Sequence, residues 1–216
     1  MLSSSKIRRR CPPSSRFSVR EPSLLDPALA WGERHGLVLS GMPDSHHKVD
    51  LDAATPADAA LLSNLLELYI HDLSDIFSVE LGSDGRFGYA NLPLYWSEPE
   101  RRFAFLVKCD GRTAGFALVT RGSPVTDDPD VFDVAEFFVA RGYRRTGVGR
   151  LAARLLWCRF PGKWIVRVSE GNQRAIPFWT HVVAEFAGGA ATEFHRPGGT
   201  HPWRVFSFDS SLQSHS

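Results

Sequence analysis

The chain has 216 residues, 25 Lys plus Arg against 24 Asp plus Glu, and 43% hydrophobic against 23% charged residues, the composition of an ordinary globular protein. Charges that nearly cancel give no argument for a nucleic-acid or anionic-membrane partner, and no stretch approaches the roughly 20 apolar residues that span a bilayer. Cys11, Cys109 and Cys158 lie too far apart for a zinc or disulfide framework and the histidines form no metal-binding spacing, so no metal and a reducing, cytoplasmic setting are expected.

Residues 1–46 read as a basic, Ser/Pro-rich extension, poorly ordered, because Lys6, Arg8, Arg9, Arg10, Arg16 and Arg20 all precede the first acid, Glu21. A short helix over 24–34 is limited by Pro22, Pro27 and Gly36. One domain is expected over 47–212. Val49 and Leu51 alternate with Asp50 and Asp52 as in a strand, and Thr55 and Pro56 open a helix whose Leu61, Leu62, Leu65, Leu66 and Tyr69 form an apolar stripe ending near Ser74.

Residues 76–100 form an aromatic-rich loop suited to line a pocket. The apolar runs 103–109 and 113–120 flank Asp110-Gly111, a hairpin signal. A polar loop leads to the most hydrophobic strand, 132–140. Beyond it, Arg144-Arg145-Thr146-Gly147-Val148-Gly149 opens a helix in which Val148, Leu151, Ala152, Leu155 and Leu156 keep helical spacing until Pro161 and Gly162 stop it. A strand at 164–169, a helix at 172–183 and closing strands at 192–196 and 203–208 complete a mixed α/β order: antiparallel strands first, one β-α-β crossover in the middle.

A strand that ends in a basic, glycine-containing turn and opens a helix places unpaired N–H groups at the positive end of the helix dipole, which makes an anion site. Arg144, Arg145 and Arg150 add charge to it. Gly147-x-Gly149-x-x-Ala152 also fits a dinucleotide fingerprint, with Glu170 at the expected distance. However, residues 141–145 separate strand and glycine, and the chain after Glu170 is too short for a doubly wound sheet. A Walker A loop is excluded because the Gly-Lys-Ser/Thr ending is absent.

Arg144, Gly147 and Gly149 reproduce the Arg/Gln-x-x-Gly-x-Gly/Ala signature, and the segment resembles the GCN5-related N-acetyltransferase (GNAT) superfamily. Asn172-Gln173-Arg174-Ala175 followed by Phe178 is similar to the Asn-x-x-Ala stretch that opens the last helix of that family, and the likeness spans roughly three-quarters of the chain. It implies a mixed sheet splayed between its two central parallel strands, with acetyl-CoA as acyl donor. The pyrophosphate would lie on Arg145, Thr146, Gly147, Val148, Gly149 and Arg150. The pantetheine arm would lie along Phe137 and Val139, steadied by Asn172 near Phe178. Family members transfer the acyl group directly to an amine, of small-molecule or protein origin. A homodimer is compatible with this.

Direct transfer needs a general base. Strict alternation puts Glu136 on the face of Phe132, Val134 and Phe138, and Asp133 on the face of Ala135, Phe137 and Val139; either carboxylate suits the role. Tyr69, His71, Asp72 and Tyr89 are the candidates for the acceptor side. The sequence departs from the family at Trp179, where many members have a tyrosine that protonates the departing thiolate. Tyr69, Tyr89, Tyr95 or solvent must then take that part, or the domain is a catalytically silent acyl-CoA sensor.

Overall fold

The computed structural model describes residues 47–197 and 201–211; the basic extension and its expected helix lie outside them. In chain order the elements are β1 (Val49–Ala53), α1 (Ala59–Leu73), α2 (Leu94–Ser97), β2 (Arg102–Cys109), β3 (Arg112–Arg121), β4 (Phe132–Val139), α3 (Val148–Arg159), β5 (Lys163–Ser169), α4 (Ala175–Ala187), β6 (Thr192–Arg196) and β7 (Trp203–Asp209). Among the described residues no helix is long and apolar enough to cross a membrane.

The strands form one seven-stranded sheet in the order β1-β2-β3-β4-β5-β7-β6, antiparallel except where β4 meets β5. This is the expected mixed α/β class. The β2–β3 hairpin closes at Asp110-Gly111, whose φ angles of 50° and 78° are the left-handed pair that a two-residue turn requires. The approach to α1 is also written locally: the Asp58 carboxylate accepts bonds from the Thr55 N–H and hydroxyl, each at 2.9 Å, just ahead of the helix.

Helices cover both faces. Leu62 and Leu66 of α1 and Tyr95 of α2 pack on Leu106, Phe116, Leu118 and Phe138. On the opposite face, Val148, Ala152, Leu156 and Trp157 of α3 and Val182, Val183 and Phe186 of α4 pack on Phe105, Ala117, Val119, Val134 and Val166. Trp157 and Trp164 are fully buried in this larger core. Strands β3 and β4 approach so closely at Gly115 that a Cβ there would stand 1.9 Å from the Phe138 carbonyl oxygen.

Two irregularities in β4 build the site. The first is a β-bulge: Leu118 pairs with Glu136 but the next residue, Val119, pairs with Val134, so Ala135 is extra. The bulge shifts the phase of the strand. Val134 therefore shares the α3/α4 face with Phe137 and Val139, while Glu136 and Phe138 turn to the α1 side. Strict alternation places Val134 with Glu136, and the structure corrects this. The second irregularity is the splay: β4 and β5 pair only through Phe132–Val134 and Trp164–Val166 and then part.

Candidate active site

The gap left by the splay is a cleft of about 310 Å³, with Glu136 and Phe137 of β4 on one wall and Arg167 to Ser169 of β5 on the other. Tyr69 and Leu73 of α1, Phe77, Asn172 and Trp179 complete the lining. The backbone directions along β4 follow from its pairing with β3. Ala140 N–H bonds to the Ala114 carbonyl at 2.8 Å, so two-residue alternation points the polar backbone groups of Phe137 and Val139 away from β3 and into the gap.

At one end of the gap lies the glycine turn. Gly147 takes a φ of 88° immediately before α3, and Arg145 takes 63°, a left-handed conformation that few side-chain-bearing residues adopt. The two left-handed residues curl the turn into a concavity of N–H groups at the start of a twelve-residue helix, the geometry of an anion nest. Gly149 is small for a different reason: a Cβ there would meet the Phe178 ring at 3.3 Å, where α3 crosses α4. Thr146 hydroxyl bonds the Tyr143 carbonyl at 2.7 Å and braces the turn, while Val148 is fully buried beneath it.

The arginines behave differently from one another. Arg144 Nε donates to the Val139 carbonyl at 2.6 Å and its guanidinium pairs with Asp72; Arg150 pairs with Glu185 at 3.0 Å. Arg145 is exposed and forms no ion pair among the described residues, which leaves it the most available of the three to a ligand at the turn. Asp72, expected at the acceptor, instead ties α1 to this region through Arg141, at 2.7 Å, and Arg144. Burial raises its carboxyl pKa, but the bonds and charges of Arg144 and Arg141 outweigh burial and hold it below the ordinary range. His71 is exposed against Phe87, with ring centroids 6.4 Å apart, and lines neither cleft.

Asn172 stands at the cleft with its Oδ1 accepting the Ala175 N–H at 3.1 Å, which starts α4 and leaves its NH₂ free to donate. Phe178 stacks on Phe137, centroids 6.2 Å apart, and Trp179 meets Phe137 edge-on at 5.1 Å.

A second, more polar cleft of about 680 Å³ opens on the far side of Glu136, between Tyr89, Tyr95, Arg101, Arg102 and the 120–129 segment. Tyr89, Ala135, Glu136 and Arg167 line both clefts, so the two meet at the Glu136 carboxylate. Tyr69 donates to Glu136 Oε2 at 2.7 Å and Tyr89 to Oε1 at 3.0 Å. Burial raises the Glu136 pKa and nearby Asp133 adds to this; the two tyrosine bonds and Arg167 work against it, and the net shift is upward. Burial, followed by the charge of Glu136, pushes the Tyr95 phenol up to about 12, and its buried hydroxyl has no hydrogen-bond partner among the described residues.

Asp133 is fully buried and its oxygens are committed: Arg167 holds both, at 2.8 and 3.1 Å, and the Ser123 hydroxyl bonds one of them. Arg167 and Ser123 belong to the site, although the sequence reading does not place them there. For Arg167 a signal exists, since a lone charge inside the apolar run Trp164 to Val168 must find a buried counter-charge.

Residues 64–182 match the acetyltransferase (GNAT) family. No curated protein matches the sequence. Among solved structures, an acetyltransferase from Thermus thermophilus is similar, with TM-score 0.53, 18% identity and coverage of 74% of this chain and 96% of that one. An aminoglycoside acetyltransferase in complex with coenzyme A gives 0.56 and 15%, covering 78% of this chain and 100% of that one. A spermidine N-acetyltransferase chimera from Vibrio cholerae and hSSAT gives 0.52 and 11%, covering 78% and 99%.

Proposed function

The chain belongs to the acetyltransferase (GNAT) family, and from that premise we propose that it is an N-acetyltransferase that uses acetyl-CoA to acetylate an amine, with Glu136 as general base. One observation carries the reading: Glu136 is the carboxylate at which the cleft opened by the splay of β4 and β5 meets the second, more polar cleft.

The residues fit acetyl-CoA along its length. The N–H nest from Arg145 to Arg150 suits the pyrophosphate, the backbone groups of Phe137 and the N–H of Val139, whose carbonyl is held by Arg144, suit the pantetheine amides, and the Asn172 NH₂ suits the arm from the α4 side. Bound there, the thioester supplies an activated acetyl carbonyl. Glu136 takes the proton of the attacking amine, and its raised pKa brings the carboxylate closer to neutrality, where a base is most effective. The Phe137 N–H, directed away from β3 into the gap, suits the stabilisation of negative charge on the carbonyl oxygen. Asp133 acts through Arg167, holding that guanidinium beside Glu136.

The acceptor is a small-molecule or protein amine. The second cleft is lined by Glu98, Asp127 and Asp128, the first paired with Arg102 and the last with Lys163, and by Arg101 and Arg121, with Tyr95 and Asn91 as neutral partners, a polar lining that suits a polar amine. Solved proteins of this fold include an aminoglycoside and a spermidine acetyltransferase, which makes polyamines and amino sugars the first panel to try. The reading is tested by following thiol release from acetyl-CoA across amino sugars, polyamines and amino-terminal peptides. Turnover by the native chain that falls at least about 100-fold in Glu136→Gln supports it, and equal turnover by both proteins contradicts it.

A further inference from the structure

The proposed reaction leaves a proton on Glu136 and a thiolate in the other cleft, and the family's usual thiolate acid is absent because Trp179 occupies its position. Trp179 is buried among Trp157, Phe137 and Phe178 and has no proton to give near neutral pH.

We infer that Tyr69, presented from α1, is the acid for the departing thiolate, and that its hydrogen bond to Glu136 couples it directly to the base. This rests on the acetyl-CoA reading of the cleft above.

Tyr69 lines the cofactor-side cleft and not the acceptor-side one, whereas Tyr95 lines only the acceptor side and Tyr89 lines both. The carboxylate therefore has one oxygen, Oε2, bonded to a phenol that lines only the cofactor-side cleft. Its other oxygen, Oε1, is bonded to a phenol shared with the acceptor. Tyr69 is also fixed in place, with Phe116 edge-on at 5.7 Å and Phe138 at 6.1 Å.

The balance of the step is complete. The amine nitrogen bonds to the acetyl carbon and the carbon–sulfur bond breaks with its electron pair on sulfur. The amine proton passes to Glu136, the Tyr69 proton passes to sulfur, and the Glu136 proton crosses the 2.7 Å hydrogen bond to the Tyr69 oxygen, so both residues end as they began. Burial and the neighbouring Glu136 charge hold the Tyr69 phenol well above its ordinary pKa, so a free tyrosinate is disfavoured and the residue gives a proton only as it receives one.

The test needs no acceptor. Titration calorimetry across pH compares coenzyme A with S-ethyl-coenzyme A, which has no thiol proton, and the ratio of affinities reports the pKa of the bound thiol. A phenol that donates to the sulfur favours thiolate, so Tyr69→Phe moves the rise in relative affinity about one pH unit upward, while Tyr89→Phe leaves it in place. Should Tyr69→Phe disturb folding, 3-fluorotyrosine at position 69, a more acidic phenol of nearly the same shape, moves the rise downward. Superimposable profiles for the native chain and both position-69 variants overturn the assignment, as does an equal shift in Tyr89→Phe. If the native chain binds neither ligand, the acetyl-CoA reading itself fails, and the assignment with it.

Discussion

Asp133 and Glu136 stand three residues apart in one strand, yet their surroundings separate them. Asp133 is sealed and doubly bonded to Arg167, and Glu136 is held by two neutral phenols at an opening. Removing one partner of a buried ion pair costs about 3–5 kcal/mol, so Asp133→Ala should lower the stability measured in urea by that order. Its effect on turnover should follow the stability loss. Glu136→Gln should do the reverse, with urea stability nearly unchanged and kcat reduced about 100-fold or more. The sign of the pH dependence follows from the upward shift: kcat/KM rises with pH through an apparent pKa above the ordinary carboxylate value. A limb at or below about 4.3, the unperturbed glutamate value, would exclude Glu136 as the base.

Among the elements, β4 and the turn after it carry the site, and they differ in how far the sequence reveals them. The turn is legible because its determinants are local: two glycines, a basic run, and an apolar helix period that starts at Val148. Gly147 is irreplaceable in a simple sense, since a side chain at φ 88° costs about 1–2 kcal/mol. Gly147→Ala should therefore lower both the melting temperature and the affinity for acetyl-CoA. The bulge is not legible, because no residue type marks Ala135 as extra; the register is set by pairing with β3 across the sheet. Hence periodicity identifies both carboxylates but misassigns their faces.

The tie between α1 and the turn is equally hidden, as Asp72 lies 69 and 72 residues from Arg141 and Arg144. A depressed folded pKa means that Asp72 contributes stability above the unfolded carboxylate value, near 3.9, and that this is lost as pH falls through the lower folded value. Asp72→Asn should then be less stable than the native chain at pH 7, with the difference closing in thermal melts as pH falls below the unfolded carboxylate value, near 3.9.

For the whole molecule, the order of strands and helices is legible from periodicity and turn residues, and the observed boundaries of β6, 192–196, coincide with those expected. What periodicity does not contain is which distant segments meet. Tyr69 reaches Glu136 over 67 residues and Tyr89 over 47, and the second cleft assembles from the aromatic loop, the ends of β2 and β3, and the segment before β4. The chemistry depends on this assembly, because two clefts converge on one carboxylate only when the sheet splays just beyond Val134 and α1 lies across the gap.

The most direct test of the central claim is a thermal unfolding series with acetyl-CoA, free coenzyme A, NAD and ATP. A ligand at 100 times its dissociation constant adds about 2.7 kcal/mol to the folded state, so acetyl-CoA and coenzyme A should each raise the melting temperature by several degrees while NAD and ATP do not. A shift with NAD in place of acetyl-CoA, or none with any of the four, would contradict the assignment of the cleft.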